Sequence, residues 1–224
     1  ELILSTLKHF LNPSWIVEKS DEHSRHIEGL ESANGTLFGE PCKMFELREN
    51  ELTFLVDIED AQKTGFYLDQ RKNRSICANY VKEGDKVLDL CCNTGGFGLY
   101  ALKAGAKECV FVDASDSAIA QTKANLERNN LLSESLHVKD VFTFLKEQKY
   151  KNSFDMVIID PPSFAKTKEQ ASGAKRGFKH LLIESTKAVK DSGLIALFSC
   201  SFHVGKKELL EIAMEVSHDL KVQY

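Results

Sequence analysis

The chain has 224 residues, 42% hydrophobic and 28% charged, with a formal net charge of −4, so it is long enough to bury the core of one soluble domain with a smaller attachment. That balance excludes a chain-wide basic field for nucleic acid, and a polyanion would have to be met by a local patch. No apolar run approaches membrane-spanning length and no signal peptide opens the sequence.

Leu2 to Phe10 reads as a short helix stopped by Asn12-Pro13. Turn-rich sequence follows through Gly29, Asn34-Gly35, Gly39 and Pro41. Phe45 and Leu47, then Leu52, Phe54, Val56 and Ile58, alternate around Glu49-Asn50, the pattern of a hairpin. Residues 1–60 are therefore expected to form a small α+β unit, and residues 61–224 the main domain.

From Lys86 the pattern changes. Val87 to Leu90, Cys109 to Asp113, Leu136 to Val138, Met156 to Asp160 and Leu194 to Ser199 are short apolar runs, as expected of strands buried on both faces. Helical stretches alternate with them: Gly98 to Lys103, Ser117 to Asn129, Val141 to Gln148 and Lys179 to Lys190. The fold class is α/β, a doubly wound and mostly parallel Rossmann-like sheet whose ligands bind beyond the carboxyl ends of the strands.

The six cysteines, Cys42, Cys77, Cys91, Cys92, Cys109 and Cys200, form no Cys-x-x-Cys pair. They suit neither zinc nor a disulfide framework and point to a reducing, cytoplasmic compartment. His23 and His26 lack partners of the metal-binding type, so no metal is expected.

The strand ends carry the chemistry. Asp89-Leu90-Cys91-Cys92-Asn93-Thr94-Gly95-Gly96-Phe97-Gly98 closes one strand and opens a helix. Its paired glycines allow close backbone approach to a ligand, yet it is neither Gly-x-Gly-x-x-Gly nor a P-loop. The next strand ends in Asp113, followed by Ala114-Ser115, where a carboxylate can accept both hydroxyls of a ribose. A third ends in Asp140-Val141, where the acid either meets an adenine amino group or caps the following helix. A fourth ends in Asp160-Pro161-Pro162-Ser163-Phe164. Four acids at successive strand ends suit a nucleoside ligand with its own positive charge, and S-adenosylmethionine fits better than NAD.

Four motifs occur in order: Lys63-Thr64-Gly65-Phe66-Tyr67-Leu68-Asp69-Gln70-Arg71, the loop from Asp89 to Phe97, Asp160-Pro161-Pro162-Ser163-Phe164, and Phe198-Ser199-Cys200-Ser201. Together they closely resemble the bacterial 23S rRNA cytosine-5 methyltransferases, a branch of the class I S-adenosylmethionine-dependent enzymes, from about residue 50 to the end. The resemblance implies S-adenosylmethionine as cofactor, ribosomal RNA as substrate, and Cys200 as nucleophile. It implies that the loop of Asp89, Cys91, Asn93, Thr94, Gly95, Gly96 and Phe97 binds the methionine part, with Asp113, Ala114 and Ser115 at the ribose and Asp140 and Val141 near adenine. Phe66 is added on the cofactor side. Members of that family begin with a small PUA-type RNA-binding domain and continue past the position of Tyr224, so the chain is expected to be cut at both ends.

Carbon 5 of cytosine is too weak a nucleophile to attack a sulfonium methyl unaided. A thiolate added at carbon 6 makes the ring an enamine, and carbon 5 then reacts. Cys200 is expected to make that attack while Asp160 holds the N3–N4 edge. Ser163 stands where some RNA cytosine-5 enzymes carry a second thiol. Lys166, Arg176 and Lys179 are the expected RNA-backbone contacts, and Phe164 a wall for an unstacked base. Gln70, Arg71 and Arg74 open a predicted helix and suit either a carboxylate or phosphate contact or a plain surface role. The alternatives are a methyltransferase acting on guanine N7 or an exocyclic amine, and a non-catalytic RNA-binding protein retaining the fold. No membrane partner is expected, and the sequence leaves the oligomeric state open, with a homodimer among the choices.

Overall fold

The computed structural model describes residues 2–31, 33–42, 44–58, 65–165 and 167–221. They fall into two units, one running to Phe45 and rejoined at Asp57, the other holding Glu46–Val56 and the rest of the chain. In the first unit, helix α1 (Leu2–Leu11) buries none of its residues. Strand β1 (Ile16–Lys19) is followed by α2 (Glu22–Ile27), which Asp21 caps by accepting from the Ser24 N–H at 2.8 Å. Strand β2 (Asn34–Phe38) then pairs antiparallel with β1. The Trp15 and Phe45 rings meet edge-on, with centroids 6.3 Å apart.

Strands β3 (Met44–Glu49) and β4 (Leu52–Asp57) form the expected hairpin, turning at Asn50 with φ 53°. Leu52, Phe54 and Val56 are buried at alternate positions. The sequence grouped the hairpin with the first sixty residues, but residues 46–56 pack on the larger unit. The expected boundary at residue 60 falls among residues 59–64, outside the described ones.

The larger unit continues with a 3-10 turn (Leu68–Gln70), then α3 (Arg71–Tyr80), β5 (Lys86–Leu90), α4 (Gly96–Lys103), β6 (Glu108–Asp113) and α5 (Asp116–Arg128). After these come β7 (Leu136–Val138), α6 (Val141–Leu145), β8 (Phe154–Ile159), α7 (Ala171–Ala188), β9 (Val189–Leu197) and α8 (Lys206–Leu220). The five strands β5 to β9 form one sheet in the order β7-β6-β5-β8-β9, and every adjacent pair is parallel. The order reverses beside β5, so its carboxyl end lies at the switch point where such sheets take ligands. Leu88, Leu90, Val110, Val112, Val157 and Ile159 are almost wholly buried, as the unbroken apolar runs require.

Two local expectations change. Helix α7 begins at Ala171, earlier than its apolar stripe suggested, and the helix from Val141 ends at Leu145. Strand β9 stops at Leu197; Phe198 adds one more ladder bond, its N–H donating to the Ile159 carbonyl at 2.9 Å, and Cys200 lies in the turn beyond.

The hairpin is held to the larger unit in two ways. Side-chain amides of α5 stand in for a neighbouring strand. Asn129 Oδ1 accepts from Thr53 N–H at 2.8 Å and its Nδ2 donates to Thr53 O at 2.7 Å. Asn125 Oδ1 accepts from Leu55 N–H at 2.7 Å and Gln121 Nε2 donates to Leu55 O at 2.8 Å. The second tie is a buried ion pair, in which Arg74 Nε and Nη2 each donate to Glu49 at 2.8 Å. Both residues are 3% exposed, and Tyr100 also donates to Glu49 at 3.0 Å. Among the described residues no helix is long and apolar enough to cross a membrane.

Removing one member of such a pair strands the other's charge. Glu49→Leu is expected to lower stability by about 3–5 kcal/mol, read as a lower urea midpoint, with most of the loss recovered in Glu49→Leu/Arg74→Met. A loss under about 1 kcal/mol, the range of surface pairs, would show that Arg74 is solvated after all.

Candidate active site

The loop after β5 is bent by three left-handed residues, Cys91 at φ 59°, Asn93 at 48° and Gly95 at 79°. Two of these carry side chains, so the conformation costs energy that the surroundings must supply. They do so through hydrogen bonds. Cys92 N–H donates to Val112 O at 3.1 Å, Thr122 Oγ1 to Asn93 O at 2.8 Å, and Asn125 Nδ2 to Thr94 O at 2.9 Å. At Gly95 a Cβ would lie 2.7 Å from Thr122 Cγ2, so glycine is required there by both dihedral and space. Gly96 then opens α4, and Phe97 is nearly buried.

Asp113 closes β6 against this loop. Its Oδ2 accepts from Asn93 N–H at 2.9 Å and its Oδ1 from Ser115 N–H at 3.0 Å. A carboxylate has about four acceptor positions, so one remains on each oxygen for a diol. Ala114 and Ser115 are exposed, and Ser115 Oγ caps α5 by accepting from Ala118 N–H at 3.3 Å. Asp140 caps α6, its Oδ1 accepting from the N–H and hydroxyl of Thr143 at 2.9 and 3.1 Å. The helix-cap reading of Asp140 is thus the one with a partner, and an adenine contact would have to use its other oxygen. Val141 turns into the core.

Asp89 sits beneath the loop at 1% exposure. Its Oδ2 accepts from Gly98 N–H at 2.8 Å, while its Oδ1 is buried without a hydrogen-bond partner. Burial pushes its pKa up to about 8, reinforced by Asp160 and Asp113 and opposed by the Gly98 hydrogen bond and by Arg74. The bent loop, the unsatisfied acid and the diol-ready Asp113 suit a nucleoside that carries a positive charge.

Phe66 packs in the core. Its ring is 5% exposed, lies 4.5 Å beneath the Arg74 guanidinium and packs 4.7 Å from Phe54, so it covers the ion pair and serves the core. Arg74 is likewise a buried anchor and no phosphate contact, because Glu49 occupies its fork.

The second half of the site joins the ends of β8 and β9. Asp160 follows β8 directly, and Gln70 Nε2 donates to both its oxygens at 3.1 and 3.0 Å. The Cys200 thiol donates to Pro161 O at 3.7 Å. Its turn is fixed by serines: Ser199 Oγ donates to Val204 O at 2.7 Å, and Ser201 Oγ to Ala165 O at 3.2 Å. Ser163 Oγ donates to the same Ala165 carbonyl at 2.9 Å, tying the proline motif to the cysteine turn. Phe97 stacks on Phe198 at 4.9 Å, which links the glycine loop to that turn. Burial first, then charge at Cys200 and Asp160, raise the Tyr67 phenol above its usual pKa. Phe164 packs edge-on against Phe178 at 5.1 Å.

Of the expected RNA contacts, Arg176 is exposed on α7. Lys179 is committed elsewhere, paired with Asp219 at 2.9 Å and Glu215 at 3.2 Å on α8. Lys166 lies outside the described residues. Among the described residues no group of three or more His, Cys, Asp or Glu side chains could hold a metal ion. Asn73 and Glu49 are the site residues that the sequence did not single out. The signal was present in the spacing of Gln70, Asn73 and Arg74, which brings them to one side of a helical turn.

A family described as S-adenosylmethionine-dependent methyltransferase matches residues 5–213. Ribosomal RNA large subunit methyltransferase I of Aeromonas hydrophila is 42% identical over 206 residues, covering 90% of this chain and 52% of that protein. The protein of the same name from Photobacterium profundum is 43% identical over 190 residues, covering 83% and 48%. The chain therefore spans about half the length of the curated relatives it matches. Among solved structures, SMU.776 complexed with SAH aligns with a TM-score of 0.79 and 25% identity, over 96% of this chain and 55% of that one. The SAM-dependent methyltransferase from Agrobacterium tumefaciens, at 21% identity and a TM-score of 0.74 over 94% of this chain and 67% of that one, shares the fold.

The raised pKa of Asp89 has a direct consequence for stability. An acid whose folded-state pKa lies above its ordinary 3.8 favours folding fully below that value, and the contribution is lost as pH rises towards 8. Asp89→Asn removes this dependence. In the ligand-free protein its stability relative to wild type, read from urea unfolding, should climb between pH 4 and 8 by an amount on the order of a few kcal/mol. A difference that stays flat across that window would mean the carboxylate is ionised throughout.

Proposed function

The chain belongs to the S-adenosylmethionine-dependent methyltransferase family, and we propose that it methylates carbon 5 of a cytosine in 23S ribosomal RNA, with Cys200 as nucleophile. The observation that carries this reading is the meeting of two neighbouring strand ends, with the Cys200 thiol 3.7 Å from the carbonyl of Pro161, the residue after Asp160. An acid alone at that turn serves several acceptor atoms, whereas a thiol beside it suits an acceptor that must first be activated by addition.

The residues present fit the cofactor. Asp113 would take its ribose hydroxyls, the loop from Cys91 to Phe97 its methionine part, and Asp140 its base, with Asp89 buried beneath the loop. When bound it supplies an electrophilic sulfonium methyl group. The remaining work falls to side chains. The Cys200 thiolate adds to carbon 6 of the ring, and Asp160 holds the N3–N4 edge as charge develops there. After methylation, loss of the carbon-5 proton and departure of the Cys200 sulfur restore the aromatic ring. Arg176 is the basic side chain on α7 best disposed to meet the RNA backbone, since Lys179 would first have to leave two carboxylates. Ribosomal RNA as substrate is supported by the names of the relatives.

Cys200→Ala, incubated with labelled cofactor and large-subunit rRNA, is expected to form no 5-methylcytosine while keeping cofactor affinity. Asp160→Asn should slow the reaction roughly 10²–10³-fold. Undiminished cytosine methylation by Cys200→Ala would exclude the covalent route. Product on guanine N7 or an exocyclic amine would replace it with a different acceptor.

A further inference from the structure

Exposed apolar side chains are common, and what marks Phe202 is its place. At 95% exposure it is the most open large apolar side chain among the described residues, and it stands two residues beyond Cys200. The turn around it is tied down. Ser201 before it and Val204 after it are both buried. The Val204 carbonyl accepts from Ser199 Oγ at 2.7 Å, and the Val204 N–H donates to the Ser201 carbonyl at 3.4 Å. The His203 N–H donates to Ser201 Oγ at 3.3 Å. A chain fastened on both sides of one residue holds that residue outward, and the His203 ring meets Phe202 only edge-on, with centroids 5.4 Å apart.

A ring this exposed lines no pocket, so it is not the wall for the target base, which is held in a snug pocket once out of its stack. What lies outside that pocket is the rest of the strand. Removing one base from a stack bares the faces of its neighbours, and an aromatic ring covers such a face whatever the base. Phe202 loses little freedom in doing so, because the backbone beneath it is already fixed. The charge beside the ring agrees with an RNA strand. Lys206 and Lys207 open α8 directly after the turn, and both are exposed. Lysine in a first turn faces the positive end of the helix dipole, an unfavourable place unless an anion is met there. Among the described residues Lys206 has no ion-pair partner, and Lys207 approaches Glu211 only to 4.0 Å. The Glu208 carboxylate of the same turn is used on the helix cap, accepting from Gly205 N–H at 2.9 Å.

We propose that Phe202 stacks on the RNA base next to the target cytosine, with Lys206 against a phosphate of the same strand, so that the turn bearing Cys200 also holds the substrate. The inference rests on the rRNA cytosine reading above. Stacking of this kind is indifferent to base identity, so Phe202 adds affinity and fixes the strand beside the pocket without choosing the sequence.

The probe is a fragment of large-subunit rRNA that wild type methylates, made intact and with an abasic nucleotide immediately before or immediately after the target cytosine. Phe202→Ala should weaken binding of the intact RNA about 10–100-fold. Its melting temperature, cofactor affinity and single-turnover rate at saturating RNA should match wild type, because the ring touches no reacting atom. Phe202→Trp should restore the affinity, and Phe202→Leu, apolar but without a π face, should not. One of the two abasic RNAs should bind wild type as weakly as the intact RNA binds Phe202→Ala, and on that RNA the substitution should cost nothing more. Lys206→Ala should flatten the dependence of log Kd on log salt concentration by about one in slope, while Phe202→Ala leaves the slope unchanged. Equal affinity of wild type and Phe202→Ala for the intact RNA would overturn the proposal. So would full recovery with leucine, or a loss that both abasic RNAs leave undiminished. An unchanged slope in Lys206→Ala would overturn the phosphate contact. If wild type forms no 5-methylcytosine in large-subunit rRNA, the functional reading fails and the inference falls with it. Normal wild-type methylation with an unaffected Phe202→Ala sinks the inference alone.

Discussion

The arrangement of the site depends on the ion pair between Arg74 and Glu49. Its two hydrogen bonds of 2.8 Å leave neither group meaningful access to water. A pair of this kind adds little to net stability, because desolvation offsets most of the attraction. What it supplies is a single rotation for α3. The guanidinium also donates to Tyr67 O at 3.1 Å, covers the Phe66 ring, and has its Cδ 3.1 Å from where a side chain at Gly96 would begin. One residue thereby sets the hairpin tip, the segment carrying Tyr67 and Gln70, and the start of the helix under the glycine loop.

The two halves of the site are joined by packing as well as by charge. Phe97 belongs to the glycine loop after β5 and Phe198 to the end of β9, and their stacking transmits any displacement of one loop to the other. Methyl transfer needs its donor and acceptor in line, and a shift of about 1 Å can cost two orders of magnitude. The serine bonds around Cys200 serve the same end, since a residue on a turn lacks the ladder that holds a strand residue. Its neighbour Phe202, 95% exposed on that turn, shows how far the segment projects from the core.

Much of this was legible in the sequence. The five buried strands announce themselves as unbroken apolar runs, and the acids at their ends stand at predictable places because a parallel sheet delivers every carboxyl end to one edge. The hairpin's attachment was not legible. Gln121, Asn125 and Asn129 look like the polar face of an ordinary surface helix, and only in three dimensions do they stand in for a strand beside β4. The start of α7 was hidden for a similar reason. Gly173 and Gly177 weaken a helical signal, although Gly177 lies against the Phe164 ring of the proline motif, where a Cβ would sit in ordinary contact at 3.4 Å. For Arg74 the sequence left a ligand contact and a surface role open, because its counter-ion lies on a hairpin 25 residues earlier.

The choice of nucleophile among six cysteines shows what spacing alone leaves open. Several of them lie within apolar runs, where sequence context treats them much alike. Burial separates them. It pushes the Cys77 thiol up to about 12 and raises Cys92 and Cys109 well above the ordinary range, with Asp89 adding to each. Cys91 keeps part of its surface open, but burial and the nearby Asp113 and Asp160 raise it too. Cys200 alone is exposed. The acids that make the strand ends suitable for a cationic ligand thus suppress ionisation of the buried thiols around them. The turn after β9 carries Cys200 out of the core, which keeps its thiol open to solvent.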